Sequence, residues 1–201
     1  DMKNNSQMDT IKICSELLIK FKKTYDKIKP HLILVLGDRF EIFSAALSAY
    51  YSRIPIAHIH GGEVTEGSYD DNLRHALTKF SHFHFVSNKT FERRVIQLGE
   101  QPKNTFIVGG LGVDNIKKVK LLSNEYLAKK FKLKTNNFLV TFHASTLESD
   151  KSAKMLKNLL YVLKEYRDYK IIFTYPSSDF GNSELIKLLH NFKKTNKNIE
   201  I

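Results

Sequence analysis

A chain of 201 residues, 42% of them hydrophobic, can bury the core of one ordinary domain or of a domain and a half. Its single cysteine, Cys14, excludes an intramolecular disulfide framework and a cysteine-rich zinc site, which fits a reducing compartment and makes the cytoplasm the default expectation. The net charge of +11 would suit nucleic acid if the lysines clustered, but Lys20, Lys22, Lys23, Lys27, Lys117, Lys118, Lys193 and Lys194 are scattered over expected helix faces, so an anionic small substrate is the better partner for that field.

Apolar positions Ile11, Leu17, Leu18, Phe21, Tyr25 and Ile28 recur at helical spacing until Pro30 stops the helix. The run Leu32 to Leu36 is apolar at every position and ends at Gly37, as a strand buried on both faces of a parallel sheet would. Helices near Arg39 to Arg53, Asp71 to Phe80 and Thr90 to Leu98 then alternate with strands at Ile56 to Ile59, His84 to Val86 and Thr105 to Val108. Beyond Asp114 a lysine-rich helical stretch leads to the polar segment Lys134-Thr135-Asn136-Asn137, which reads as a linker. A second series follows: a strand at Phe138 to Phe142, a helix from Lys151 to Tyr166, a strand at Lys170 to Tyr175, a helix ending near Asn191, and a strand beginning at Asn198. No apolar run approaches the roughly 20 residues that span a bilayer, and Asp1 to Asn5 lacks the hydrophobic stretch of a signal peptide, so a soluble protein with no membrane partner is expected.

Strands alternating with helices imply right-handed crossovers and a doubly wound α/β sheet, whose ligands sit beyond the carboxyl ends of the strands. Gly37-Asp38-Arg39, His58 to Glu63 and Gly109-Gly110-Leu111-Gly112 each follow a strand and would crowd that edge, although the glycine cluster alone is a weak phosphate-loop signal. Asp38 could act as a general acid or base, or merely cap the next helix, and Arg39 could grip a phosphate through two hydrogen bonds. His58 and His60, two apart on a strand, are expected to point to the same side, with Gly61-Gly62 turning the backbone sharply before Glu63. The pair could hold zinc with Asp38, Glu63 and His143, or could be structural, since no HExxH or cysteine pair supports a metal. Asp71, Arg74 and His75 share a helical face, while Asp70 and Asp71 at a helix start also match what the helix dipole favours.

Taken together, Gly37-Asp38-Arg39-Phe40, His58-Ile59-His60-Gly61-Gly62-Glu63 and Asp70-Asp71-Asn72-Leu73-Arg74-His75-Ala76 strongly resemble the hydrolysing UDP-N-acetylglucosamine 2-epimerases of bacterial sialic acid pathways. The resemblance continues through Leu98-Gly99-Glu100, the glycine cluster and Thr141-Phe142-His143, covering about Pro30 to Asp179. It implies two Rossmann-like domains of glycosyltransferase-B type: residues 1–133 with the hinge region, whose first strand and phosphate-contacting loop would precede Asp1, and residues 134–201 as the start of the second. It also implies a UDP-sugar substrate, a homodimer, and a reaction that needs no metal or cofactor. In that reaction the C2 proton is removed, UDP leaves to give a 2-acetamidoglucal, and water adds to release the epimerised sugar.

By this resemblance Asp38, Glu63, Asp71 and His143 are the candidate catalytic residues, while Arg39, His58, His60, Arg74 and Asp179 are the candidate substrate contacts. Arg39, Arg74 and His143 are the cations available to a departing diphosphate. Two positions depart from the pattern: His60 stands where non-hydrolysing relatives carry glutamate, and His143 is followed by Ala144 where the family usually has proline. The same chemistry on a UDP-2,4-diacetamido-2,4,6-trideoxy sugar, a glycosyltransferase of the same architecture, a metal-dependent hydrolase and a non-catalytic binding protein are the alternatives.

Overall fold

The structure, a computed structural model, describes residues 7–143, 149–176 and 182–201. It divides into two compact units, Asp1–Val119 and Lys120–Ile201. The division falls ahead of the polar segment at 134–137, because the helix Asn124–Phe131 belongs with the second unit, whereas the sequence reading placed it with the first.

In the first unit, α1 (Gln7–Ile28) precedes β1 (Ile33–Leu36), and α2 (Phe40–Tyr51) leads to β2 (Ile56–Ile59). Next come α3 (Asp70–Phe80), β3 (Phe83–Val86), α4 (Lys89–Gln97), β4 (Thr105–Ile107) and α5 (Leu111–Lys118). The four strands form a parallel sheet in the order β1-β2-β3-β4. Successive parallel strands laid down in one direction, each joined by a right-handed crossover, put every crossover helix on the same face. Burial follows that rule: Val35, Ile56, His58, His84 and Val86 share one face through the strand register and are buried. Tyr25, Ala46, Ala49 and Leu77 from α1, α2 and α3 pack against Val35 and Ile56. On the other face Leu34 and Leu36 remain 62% and 49% exposed. The expectation that β1 is buried on both faces therefore needs correction, since among the described residues of the first unit the helices pack on one face, and β1 is the first strand in the order.

The carboxyl ends of the strands carry the irregular backbone. Gly37, directly after β1, has φ +82°, and Gly62, beyond β2, has φ +77°. A Cβ at Gly62 would collide with the Phe91 carbonyl oxygen and lie 2.9 Å from Val95 Cγ2, so the β2–α3 loop can rest on α4 only without a side chain there. The Gly62 carbonyl is held in turn by the Arg94 guanidinium. His60 is left-handed at φ 68°, a conformation that costs a non-glycine residue of order 1 kcal/mol. At the start of α4, Asn88 Oδ1 accepts from the backbone N–H of Thr90 and Phe91 at 2.9 and 3.1 Å.

The second unit contains α6 (Asn124–Phe131) and then β5 (Asn137–Val140), α7 (Ser149–Leu163), β6 (Lys170–Phe173), α8 (Asn182–Thr195) and β7 (Ile199–Glu200). Its parallel sheet runs β5-β6-β7. Leu156, Leu160, Ile171, Phe173, Leu185 and Leu189 form its core.

Candidate active site

Two groups of side chains assemble at the carboxyl edge of the first sheet. The first centres on Arg74, a residue of α3 whose side chain is 7% exposed. Its guanidinium binds the Asp38 carboxylate, contacts Asp71 Oδ1 at 3.2 Å and donates to Thr65 Oγ1 at 2.9 Å. Asp71 Oδ1 also accepts from the Thr65 backbone N–H at 2.8 Å, and Asp71 Oδ2 lies 3.5 Å from His75 Nε2. The helical spacing of Asp71, Arg74 and His75 thus delivers the shared face expected of it. Asp38 does not cap α2: the capping position is Arg39, whose side chain makes no capping bond to the helix start, and the Asp38 carboxylate reaches across to α3 instead.

The second group lies beyond β2 and β3. Glu63 Oε1 stands 2.7 Å from His60 Nδ1 and accepts from Ser87 Oγ at 3.2 Å. A carboxylate can only accept, so His60 carries its proton on Nδ1 and, when neutral, leaves Nε2 with a free lone pair. The His60 and Glu63 side chains are 25% and 30% exposed, open enough to meet a ligand.

His58 does not stand beside His60. Strand alternation ends at Ile59 because the next residue is left-handed, so His60 turns toward the open edge while His58 stays on the helix-covered face at 0% exposure. Its Nε2 lies 2.8 Å from the Gly37 carbonyl oxygen, and its pKa is pushed down to about 4. Burial is the main cause; His84 and Arg74 add to it, and the Gly37 carbonyl and Asp38 oppose it. A ring so enclosed does not face the open edge where His60 and Glu63 stand. His84, its neighbour in register on β3, is also fully buried, contacts Glu100 at 3.2 Å and has its pKa lowered by burial.

Arg39 forms an ion pair with Glu41 at 3.2 Å while its guanidinium lies 5.9 Å from the Phe40 ring. His143 is exposed, three residues beyond β5 in the second unit, and Asp179 lies outside the described residues. Thr65, Ser87 and Arg94 were not singled out from the sequence. Ser87 alone carried a signal, its place directly after β3. Among the described residues no group of three or more His, Cys, Asp or Glu side chains is placed to hold a metal ion.

Residues 1–201 match the UDP-N-acetylglucosamine 2-epimerase family throughout. The chain belongs to that family. Members similar to it include the GDP/UDP-N,N'-diacetylbacillosamine 2-epimerase (hydrolyzing) of Campylobacter jejuni, 33% identical over 94% of this chain and 50% of the relative. The polysialic acid biosynthesis protein P7 of Escherichia coli is 36% identical over 87% of this chain and 44% of its own length. The chain spans about half the length of these family members. Among solved structures, the Neisseria meningitidis UDP-GlcNAc 2-epimerase bound to UDP-GlcNAc superposes with TM-score 0.80 at 18% identity, over 99% of this chain and 55% of that one. The Methanocaldococcus jannaschii enzyme in complex with UDP-GlcNAc and UDP gives 0.74 at 21% identity, over 94% and 53%. These likenesses support the fold class expected from the sequence, α/β with Rossmann-like units of glycosyltransferase-B type.

Proposed function

We propose that the protein containing this chain is a hydrolysing 2-epimerase that converts UDP-N-acetylglucosamine to N-acetylmannosamine and UDP. The observation that carries the reading is the presence, on one sheet edge, of two separately anchored proton-transfer groups: His60 with Glu63, and Asp38 with Arg74 and Asp71. Inverting a carbon through elimination and readdition needs a group that takes a proton and another that returns one, and a single base does not serve both faces of the carbon. In the proposed sequence His60 Nε2, oriented by Glu63, removes the C2 proton. The C2–H electron pair becomes the C1=C2 double bond as the C1–O bond breaks and UDP departs with the charge. Water then adds: its oxygen bonds C1, and the proton it loses passes to the Asp38 carboxylate and from there to C2. There the C1=C2 electron pair becomes the new C2–H bond, and the proton taken by His60 leaves to solvent. Arg74 and Asp71 hold Asp38 in place throughout. Arg39 and His143 are proposed to neutralise the diphosphate, and Asp179 is proposed to touch the sugar.

Relatives named as hydrolysing 2-epimerases support this reading over a glycosyltransferase or a metal-dependent hydrolase. The Campylobacter jejuni relative's name also makes the diacetamido sugar the second substrate to test. The setting we propose is the cytoplasm, where a free Cys14 stays reduced, with the enzyme working as a homodimer whose product feeds sialic acid synthesis. No described helix is long and apolar enough to cross a membrane.

Proton NMR of the intact protein with UDP-N-acetylglucosamine in deuterated water tests the proposal. Free N-acetylmannosamine with deuterium at C2, appearing together with UDP, is the expected outcome. Turnover of the diacetamido sugar alone would move the substrate assignment, and turnover of neither would remove the enzymatic reading.

A further inference from the structure

Gly37, whose two flanking peptides lead into Asp38, is held by β2 at two points. Its N–H donates to the Ile59 carbonyl oxygen at 3.2 Å, and its own carbonyl lies 2.8 Å from His58 Nε2. With φ +82° and nothing within 4 Å of where a Cβ would stand, Gly37 itself is not braced by packing. The His58 bond is therefore the side-chain contact that limits rotation of the peptide preceding Asp38. Because a carbonyl oxygen only accepts, the proton on His58 sits on Nε2, and Nδ1 is left bare. Nδ1 is buried and meets no hydrogen-bond partner among the described residues. A Cβ on Gly61 would approach it to 3.2 Å, so the loop that begins after β2 leaves that nitrogen room only because residue 61 is glycine.

We propose that His58 is a positioning residue: a neutral imidazole fixed as the Nε2–H tautomer, whose bond to the Gly37 carbonyl aims the Asp38 carboxylate at Arg74. Substrate is not touched by this ring, which is fully buried. The inference rests on the reading of Asp38 as a reacting carboxylate, and it adds that the aim of that carboxylate is set from the interior of the sheet. A ring charged on both nitrogens would donate to Gly37 equally well but would bury an unpaired cation, which burial beside Arg74 and His84 disfavours.

The test compares wild type with His58→Gln, whose amide nitrogen reaches about as far as Nε2, and His58→Met, which fills similar space without a donor. Long-range nitrogen–proton spectra of the wild-type chain should show Nε2 protonated and Nδ1 bare. In the intact enzyme His58→Met should lower kcat about 10²-fold with KM changed less than about threefold, as expected when a reacting group is misplaced by an ångström or so. His58→Gln should recover at least about a tenth of the lost rate. A ring protonated at Nδ1 alone, or an equal kcat loss in both variants, would overturn the proposal. The Arg74 guanidinium signals provide an arm that needs no turnover. Slow guanidinium rotation in wild type that is lost in His58→Met supports positioning, and unchanged signals refute it, even if no UDP-sugar is consumed by any form.

Discussion

Replacing Arg74 with methionine keeps an unbranched apolar stem and removes the guanidinium with its charge and donors. In the folded protein that leaves the Asp38 and Asp71 carboxylates, 20% and 22% exposed, facing the site without the guanidinium that separates them, and Thr65 Oγ1 without its donor. Removing one partner of a buried ion pair costs about 3–5 kcal/mol. Both carboxylates keep a fifth of their surface in water, so solvent recovers part of that and about 3 kcal/mol is the expected loss. With a urea m-value of about 2 kcal/mol/M, the unfolding midpoint of the transition that includes the first unit should fall by about 1.5 M. The double variant Arg74→Met with Asp38→Asn removes one of the stranded charges. It should therefore be more stable than Arg74→Met alone, with a coupling of about 1–3 kcal/mol in the thermodynamic cycle. Urea titrations followed by circular dichroism on the four proteins of the cycle measure both quantities. A single variant within about 1 kcal/mol of wild type, or a coupling below about 0.5 kcal/mol, would refute the claim that Arg74 organises the carboxylates.

Gly62→Ala combines a left-handed backbone with a collision against the Phe91 carbonyl, and should destabilise the protein by about 2–4 kcal/mol, read as a melting temperature lower by roughly 10 °C. An unchanged melting point would mean that the β2–α3 loop does not rest on α4. The pH profile of stability carries a second signature. His58 has a folded pKa near 4, below the unfolded value of about 6.5, so the unfolded chain binds more protons between those limits. Its stabilising contribution is complete above about pH 6.5 and is lost as pH falls toward 4, by about 3 kcal/mol in total. His84 is shifted in the same direction. His58→Gln should flatten the profile between pH 4 and 6.5 relative to wild type by about that amount, and parallel profiles would contradict the burial argument.

The order of elements could be read in the sequence because each carries its own local signal. The helical spacing of Ile11 to Ile28, the continuous apolar run at Leu32 to Leu36 and the glycines at strand ends depend on no distant partner. The placing of Gly37-Asp38 and Glu63 on one edge followed from the strand–helix alternation alone. What stayed hidden depends on how distant segments meet. The pairing of Asp38 with Arg74 spans 36 residues, and the Ser87–Glu63 contact spans 24. Nothing local distinguishes Thr65 or Arg94 from other polar loop and helix residues, and Ser87 has only its place directly after a strand. The two histidines part for a sharper reason: the strand period of two ends at Ile59, before the left-handed turn at His60, and no local pattern marks that end. The exposure of Leu34 and Leu36 follows from the direction in which the strands were laid down, a property of topology that hydropathy does not encode.

A sheet dressed with helices on one side only is two-faced. The undressed side presents Leu34, Leu36, Phe83 and Phe106 to solvent, with Phe106 stacked on Phe85 at 5.5 Å, and among the described residues β1 is an edge strand of that sheet. Prepared by itself in dilute buffer, this chain should behave as an adhesive: it should light up hydrophobic dyes while still folded, and concentration rather than heat should decide when it comes out of solution.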